Sequence, residues 1–520
     1  MSYFAGLGKA DMTCFIPGIG MMGYGQPHNT VKDIKTPLIA RVLILKDETQ
    51  TIIYAHLEQA FITIALKDEL LKEIQTEYPN LNINHSNLLI TAQHTHSAPG
   101  GYSHYPFYNF TIPNFRPKVI ETVCRGVLKA LDEAINSLEA VTLHYGEHDI
   151  DSNVPVAFNR SMKAYLNNKD IPSLSYADGH LAVNRKMTGL FIQNSEKKLI
   201  GFLNWFGVHC TSISSFNNSI HHDNKGVAAN LFEKHHPGCI ALFIQEAAGD
   251  VSPNYVWDKK LKRMRGPSID QYENAHSNGE LQYKEALKVS PAHEIKGEIN
   301  THHHFYDMTK VASSPAHGLA FFKGTLEGPG VHPAIGNILK KINHFIKDEN
   351  FSKEHGAKDI ILDHRTGKFI GLPLKLWKRL PPLPDKTVEY FRIAAKKNSL
   401  TTLPWVPTIL PFQIITIGPF AIIGCAGEIT TEAAKRLKAE LARYLPNHHL
   451  MITSYANAYM GYVTTPEEYA IQCYEGGHTV YGPQTLHAYT QGFTNLLSDG
   501  PSELKSFKFD EEELKRRTTL

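Results

Sequence analysis

The sequence predicts a mixed α/β fold in which β-sheets are flanked by helices within one large domain. Short apolar runs of strand character alternate with segments whose apolar residues recur at helical spacing. The chain has 520 residues, of which 42% are hydrophobic and 20% charged, as is typical of a soluble globular enzyme with a large core. The more polar middle, residues 258–403, is interpreted as an irregular elaboration inside this domain rather than a linker.

The strands and helices can be placed in order along the chain. The segment 408–427 is the most apolar, but Gly418-Pro419 interrupts it, which predicts two buried strands around a turn instead of a membrane-spanning helix. Pro117 suits the first turn of a helix and Pro446 ends another. Other strands are expected at 38–45, 51–55, 87–90, 199–206, 239–245 and 451–455, and helices at 66–78, 117–135 and 431–445.

The composition argues against several functional classes. The 53 basic and 51 acidic residues give a net charge of +2, so no nucleic-acid partner is expected. The six cysteines form no Cys-x-x-Cys pair and are too few for a disulfide scaffold, which fits a reducing compartment. The N-terminus has no basic region followed by an apolar stretch, so we expect no secretory leader, and no transmembrane segment is expected either.

The strongest candidate site follows the apolar run 87–90. Alternate residues of a strand face the same way, so His94 and His96 are expected to emerge together at its end. Imidazole is the commonest metal ligand and the side chain that changes charge nearest neutral pH. The pair therefore suggests one metal ligand and one acid–base group, and a surface or core pair of histidines is the alternative.

Four further segments carry candidate chemistry. His209 ends an apolar strand and is either a third ligand or a buried histidine bonded to neighbouring hydroxyls. Ser252 lies on a turn after a strand, where it is a nucleophile, a hydroxyl anchor or an ordinary turn residue. Glu428 is a metal ligand or the first charge of the next helix. The segment 457–481 contains five tyrosines that either line a site or pack in the core.

Taken in order, these segments resemble the neutral/alkaline ceramidase family, zinc amidases that split ceramide into sphingosine and a fatty acid. The resemblance covers nearly the whole chain and is more specific for the family than for ceramide as the substrate. The matching segments are 6–11, 21–25, 94–97, 159–161, 204–212, 223–226, 249–254, 427–431, 461–469 and 474–476.

The resemblance implies one catalytic zinc ion held by four side chains: His94, His209, Glu428 and Tyr462. Ser252 would be the family's essential serine, which is either the nucleophile or an anchor for the lipid hydroxyl while zinc-bound water attacks; we favour the anchor. His96 would move a proton to the leaving amine. Arg160 and Tyr474 would hold the developing oxyanion.

The chain departs from the family pattern in ways that bear on substrate and compartment. Members usually continue into an immunoglobulin-like C-terminal domain, whereas this sequence is expected to comprise only a catalytic domain, residues 1–500, and a charged tail, 501–520. The expected function is zinc-dependent hydrolysis of ceramide. The alternatives are a zinc amidase for other N-acyl amines or acylated lipids, and an inactive lipid-binding protein.

Two segments bear on location and on contact with lipid. Residues 372–380 combine apolar side chains, Trp377 and three cations, which suits a peripheral membrane contact. The alternative is a loop packed on the body with its cations reaching water. In the tail, acids precede bases over 509–517, which predicts a solvated helix and resembles the export signals of some bacterial effectors. We therefore expect a cytoplasmic location, or export without a cleaved signal peptide.

Overall fold

A computed structural model describes residues 2–112, 114–328, 330, 336–337, 339–341, 349–383, 386–398, 400, 404–498, 500 and 503–518. Within these residues the fold has four layers, because helices cover the outer faces of two sheets that pack against each other. The expected fold class, mixed sheets flanked by helices in one large domain, is confirmed.

The larger sheet has nine strands within the described residues. The strands at its two edges, Ile240–Ile244 and Leu88–Ala92, run parallel to their neighbours. Strands that are buried on both faces read as continuous apolar runs, which explains why both were visible in the sequence. The strand order is Ile240–Ile244, Leu199–Trp205, Lys186–Asn194, Glu139–Asp149, Tyr3–Asp11, Ile39–Lys46, Thr51–Leu57 and Leu88–Ala92, with His293–Ile295 beside Glu139–Asp149.

The smaller sheet packs face to face on the larger one. Trp205 and Ile244 from the larger sheet share an apolar cluster with Ile415 and Phe420 from the smaller. The predicted pair of strands around Gly418 is confirmed, and Gly418 has φ +50 in a turn where a Cβ would lie 2.2 Å from a backbone oxygen. The strand order is Ile299–Asp307, Ile409–Ile417, Phe420–Gly424 and His449–Thr453.

The outer helices each bury one apolar face. In Pro117–Asn136, Val119, Val123 and Val127 recur at helical spacing and lie in the core, as the sequence predicts. The longer helices are Ile64–Glu77 and Pro117–Asn136 on one half of the larger sheet, Asp223–His235 and Gln271–Ala286 on the other half, and Thr431–Leu441 and Thr485–Ser498 on the smaller sheet.

Short elements connect these layers. The remaining α-helices of the described residues are Met162–Tyr165, Leu319–Phe322, Glu349–Glu354, Leu374–Trp377, Lys386–Lys396, Pro466–Ile471, Tyr474–His478 and Glu511–Thr518. The short strands are Met21–Met22, Asp33–Ile34, Ala98–Pro99, Phe158–Asn159, Ser219–Ile220, Val251–Ser252, Val256–Asp258, Arg263–Arg265, Ala316–Gly318, Ile360–Asp363, Lys368–Phe369, Glu428–Ile429 and Tyr462–Val463. Several of them carry the candidate site residues.

The segment 258–403 is more regular than its composition predicts. It contributes the 16-residue helix Gln271–Ala286 and the edge strand Ile299–Asp307 of the smaller sheet. The helix packs through small and polar side chains, and a Cβ on Gly279 would lie 2.4 Å from the Asn224 carbonyl oxygen. A close approach of this kind leaves no apolar stripe in the sequence. Parts of the segment lie outside the described residues.

The interpretation of 372–380 as a membrane contact is not supported. Trp377 is only 3% exposed, and its indole donates hydrogen bonds to the carbonyls of Phe369 and Leu372, both at 3.2 Å. Its ring packs against Phe391 with centroids 5.1 Å apart. The structure favours the alternative, a packed loop whose cations reach water. No helix in the described part of the chain combines the length and apolarity needed to cross a membrane.

The tail forms the predicted helix, Glu511–Thr518, although it is not fully solvated. Arg517 is buried, donates hydrogen bonds to Glu513 and to the His104 carbonyl, and covers the Phe509 ring. The tail is therefore anchored to the body of the domain by a buried ion pair and an aromatic contact.

Candidate metal centre

Three of the predicted metal ligands converge on one buried point. One ring nitrogen of His94, one of His209 and a carboxylate oxygen of Glu428 all lie within 4.8 Å of one another. Glu428 Oε2 is 3.0 Å from His209 Nε2 and 3.5 Å from His94 Nε2. Each residue follows the end of a strand, so the ends of strands from both sheets supply the group.

Backbone carbonyls orient both imidazoles. His94 Nδ1 contacts the Ala60 carbonyl at 2.5 Å, and His209 Nδ1 contacts the Val251 carbonyl at 3.0 Å. A carbonyl can only accept, so each Nδ1 carries the proton and each Nε2 presents a lone pair. Burial lowers the pKa of His94 to about 3, so this imidazole is neutral at pH 7.

This arrangement fits a bound cation. His209 Nε2 is buried without a hydrogen-bond partner among the described residues, yet it faces Glu428 Oε2 at 3.0 Å. With the His209 proton on Nδ1, two acceptor atoms that close would repel each other, and a cation bound between them would remove this repulsion. His94 is also held at φ +77, a conformation that is rare outside glycine and clusters at functional sites.

Two tyrosines support the Glu428 carboxylate. Tyr459 donates to Oε1, and Tyr455 donates to Oε2 at 3.1 Å. Glu428 is only 2% exposed, so these hydrogen bonds replace water around a buried carboxylate. Outer partners of this kind fix the direction in which a ligand presents its oxygen.

Arg160 and Tyr462 lie beside the three ligands. The strand Tyr462–Val463 runs parallel to Glu428–Ile429, with Tyr462 opposite Glu428. Arg160 Nη2 donates to Tyr462 Oη at 2.9 Å, and its Nε donates to Glu475 Oε1 at 2.9 Å. Burial raises the pKa of Tyr462 well above its usual range. The strand pairing therefore places Tyr462 next to Glu428, one of the three predicted ligands.

The remaining predicted residues surround the same point. His96 Nε2 lies 2.9 Å from His94 Nε2, while its Nδ1 has no partner among the described residues. Gly23, at φ +125, lets a loop pass over His96, because a Cβ there would lie 2.4 Å from the ring. The Tyr474 ring lies 5.7 Å from the Tyr462 ring.

Ser252 is fully buried and follows Val251, the residue whose carbonyl orients His209. Ser252 Oγ accepts a hydrogen bond from the Asn254 amide at 2.9 Å. No histidine or carboxylate in the described residues is hydrogen-bonded to this oxygen.

Sequence reasoning missed the supporting residues of this site. No role is predicted from the sequence for Tyr455 or for Glu327, which lies 3.7 Å from Arg160 Nη1, and Glu475 is included only within the matching segment 474–476. The tyrosine-rich segment offered a partial signal because it contains Tyr459. Glu327 lies in the polar middle of the chain, and no local pattern there pointed to the site.

Comparison with known proteins gives a consistent result. The family model for neutral/alkaline non-lysosomal ceramidase, N-terminal, matches residues 3–363 and 386–491. Neutral ceramidase of Pseudomonas aeruginosa is 30% identical over 507 residues, covering 95% of this chain and 72% of that protein. Neutral ceramidase A of Dictyostelium discoideum is 29% identical over 548 residues, covering 95% and 72%.

Solved structures agree with these sequence matches. A ceramidase complexed with C2 superposes with a TM-score of 0.81 at 28% identity, covering 98% of this chain and 77% of that one. The crystal structure of the Pseudomonas aeruginosa neutral ceramidase gives a TM-score of 0.77 with the same identity and coverage. The resemblance inferred from the motifs is therefore confirmed.

Proposed function

Because the chain belongs to the neutral/alkaline non-lysosomal ceramidase family, we propose that it is a zinc-dependent amidohydrolase that cleaves ceramide to sphingosine and a fatty acid. The bond broken is the linear N-acyl amide. The observation that carries the proposal is the buried group of His94, His209 and Glu428, whose candidate ligand atoms all lie within 4.8 Å of one another.

Zinc suits this donor set. Two imidazole nitrogens and one carboxylate oxygen form a known catalytic set that leaves a position open for water or substrate. Tyr462, opposite Glu428, is the fourth candidate ligand. When bound, a single zinc ion would polarise the amide carbonyl and lower the pKa of a coordinated water to about 7.

The chain's own residues would handle the charge and the proton of amide cleavage. The Arg160 guanidinium is held in place by Glu475 and is positioned, with Tyr474, to bind the oxygen that becomes negative. Removal of one such donor typically costs about 10²–10³ in rate. His96 directs Nε2 at the same point as the ligands and would carry the proton to the leaving amine.

Ser252 is proposed as an anchor for a substrate hydroxyl. A serine nucleophile needs an adjacent base, and Ser252 Oγ is bonded only to the Asn254 amide among the described residues. A Ser252→Ala enzyme should keep its zinc and show a raised KM for ceramide. Trapping of an acyl-enzyme on the wild-type serine would contradict this role.

One experiment tests the function and its alternatives together. Purified protein with zinc is offered ceramide, N-acylethanolamines and N-acyl amino acids, and the released fatty acids and amines are identified by mass spectrometry. The proposal expects sphingosine from ceramide as the main product and none from a His209→Ala control. Release of fatty acid only from the other amides would identify a different zinc amidase. Binding of ceramide without any release of fatty acid would identify an inactive lipid-binding protein.

A further inference from the structure

A surface beside the candidate site exposes several large apolar side chains. Ile269 is 87% exposed, more than any other large apolar residue in the described part of the chain. Phe216 and Leu326 are 67% and 59% exposed, and Trp257 and Leu261 are each 48% exposed. Scattered apolar residues need no explanation, but a contiguous group of them marks an interaction surface.

These residues are contiguous because they gather around one hairpin. Its strands, Val256–Asp258 and Arg263–Arg265, pair so that Trp257 lies opposite Met264, with Leu261 in the turn. The Met264 amide donates to the Leu326 carbonyl at 2.7 Å, and the Arg263 guanidinium lies 5.0 Å from the Phe216 ring. The hairpin and its apolar neighbours, Phe216, Ile269 and Leu326, are called the hairpin patch below.

The hairpin patch is also strongly basic. Residues 256–265 contain five cations and one acid, Asp258. Asp258 forms its ion pair with Arg265 at 2.8 Å. The other four cations, Lys259, Lys260, Lys262 and Arg263, form no ion pair with an acidic side chain of the described residues. The surface therefore combines apolar side chains with uncompensated positive charge.

The hairpin patch adjoins the candidate active site. The hairpin begins four residues after Ser252, and Asn254 between them donates to Glu327 at 2.8 Å. Glu327 in turn faces Arg160 at 3.7 Å. Leu261 and Ile269 line the same surface pocket as Asn254 and Glu327. A molecule bound at the patch is thus held next to the residues proposed to cleave the amide.

We propose that the hairpin patch docks the protein on the surface of an anionic phospholipid bilayer. Trp257 and Leu261 would enter the headgroup region, where tryptophan is favoured, while the lysines bind anionic headgroups. The charge complementarity selects an anionic bilayer, and the exposed apolar side chains select a lipid surface over a soluble polyanion. The proposal rests on the proposed function only in that docking would bring the active site to its lipid substrate.

Binding to vesicles without ceramide tests the proposal independently of hydrolysis. The full-length protein is sedimented with phosphatidylcholine vesicles containing about 30% phosphatidylserine, and with pure phosphatidylcholine vesicles. We expect clear binding to the anionic vesicles and much weaker binding to the neutral ones. Each lysine near an anionic surface adds about a fivefold gain in binding, so a Lys259→Gln, Lys260→Gln variant should bind about 30-fold more weakly.

A Trp257→Ala, Leu261→Ala variant tests the apolar contribution and should also bind at least tenfold more weakly. Two matched controls should bind like the wild type: Tyr444→Ala, in the turn after the outer helix Thr431–Leu441, and Lys375→Gln, Lys378→Gln in the packed loop. All variants should keep the wild-type melting temperature, and the lysine variant and both controls should also keep the wild-type hydrolysis of detergent-dispersed substrate. The proposal would be overturned if both hairpin variants bound vesicles like the wild type. It would also be overturned if only the lysine variant lost vesicle binding and the wild-type protein bound heparin as tightly as anionic vesicles.

Discussion

Replacement of Tyr459 by phenylalanine isolates one hydrogen bond to the proposed metal ligand Glu428. The Tyr459 hydroxyl donates to Glu428 Oε1, while the ring stacks on Phe61 with centroids 4.0 Å apart and planes 11° apart. The variant therefore keeps the aromatic packing and removes only the hydroxyl. Glu428 Oε1 then has no hydrogen-bond donor among the described residues.

The expected effect follows from the geometry. Loss of an outer hydrogen bond to a metal ligand typically lowers metal affinity by about 10–100-fold, which is about 1.4–2.8 kcal/mol. Tyr455 still donates to Oε2, the oxygen that faces the histidines, at 3.1 Å. Because that second support remains, we expect a loss near the lower limit, about tenfold. Hydrolysis should recover when zinc is raised by the same factor.

The assay is competition for zinc against a chromophoric chelator, with ceramide hydrolysis followed over the same zinc range. Tyr108→Phe is the matched control, because its ring lies 5.2 Å from the Tyr459 ring and its hydroxyl has no partner among the described residues. Unchanged zinc affinity in Tyr459→Phe would refute the role of Glu428 as a ligand oriented by Tyr459. An equal loss in both variants would refute it as well.

Three further predictions concern catalysis and stability. Arg160→Lys should lower kcat by about 10²-fold at unchanged zinc content, because lysine keeps the charge without the guanidinium geometry; wild-type kcat would exclude the oxyanion role. Trp377→Ala should cost about 3–5 kcal/mol in urea unfolding and leave vesicle binding unchanged; a loss of vesicle binding without a loss of stability would contradict its burial. Burial lowers the pKa of His56 from 6.5 to about 3, so the unfolded chain binds an extra proton and stability falls as pH drops below 6.5. His56→Gln should reduce that slope by up to about 1.4 kcal/mol per pH unit, measured by urea unfolding between pH 7 and 5, and an identical slope would contradict the assignment.

The strands that lead to the site could be predicted because the local sequence of each strand shows that it is buried. Leu88–Ala92 and Ile240–Ile244 are buried on both faces, so they appear as short continuous apolar runs. The helix Gln271–Ala286 was not predictable, because it is buried through small and polar side chains such as Gly279 instead of an apolar stripe. Trp377 shows the same limit, since its burial depends on distant packing partners.

The site residues also divide into those that the local sequence could indicate and those that it could not. His94 and His209 follow apolar strands and were candidates on local grounds, whereas Tyr462 as a fourth ligand came only from the family resemblance. The parallel pairing that places Tyr462 opposite Glu428 joins residues 34 positions apart and leaves no local pattern. The Tyr455 hydroxyl donates to Glu428, and the Tyr455 backbone has φ +56. The sequence does not indicate such a conformation for a tyrosine.

The central claim is that His94, His209 and Glu428 hold a zinc ion that the hydrolysis requires. The most direct test measures zinc by mass spectrometry and ceramide hydrolysis on the same preparations of wild-type and His209→Ala protein. We predict one zinc ion per wild-type chain, activity that is lost with a chelator and restored by zinc, and neither zinc nor activity in the variant. Full hydrolysis by metal-free wild-type protein, or by the variant, would contradict the claim.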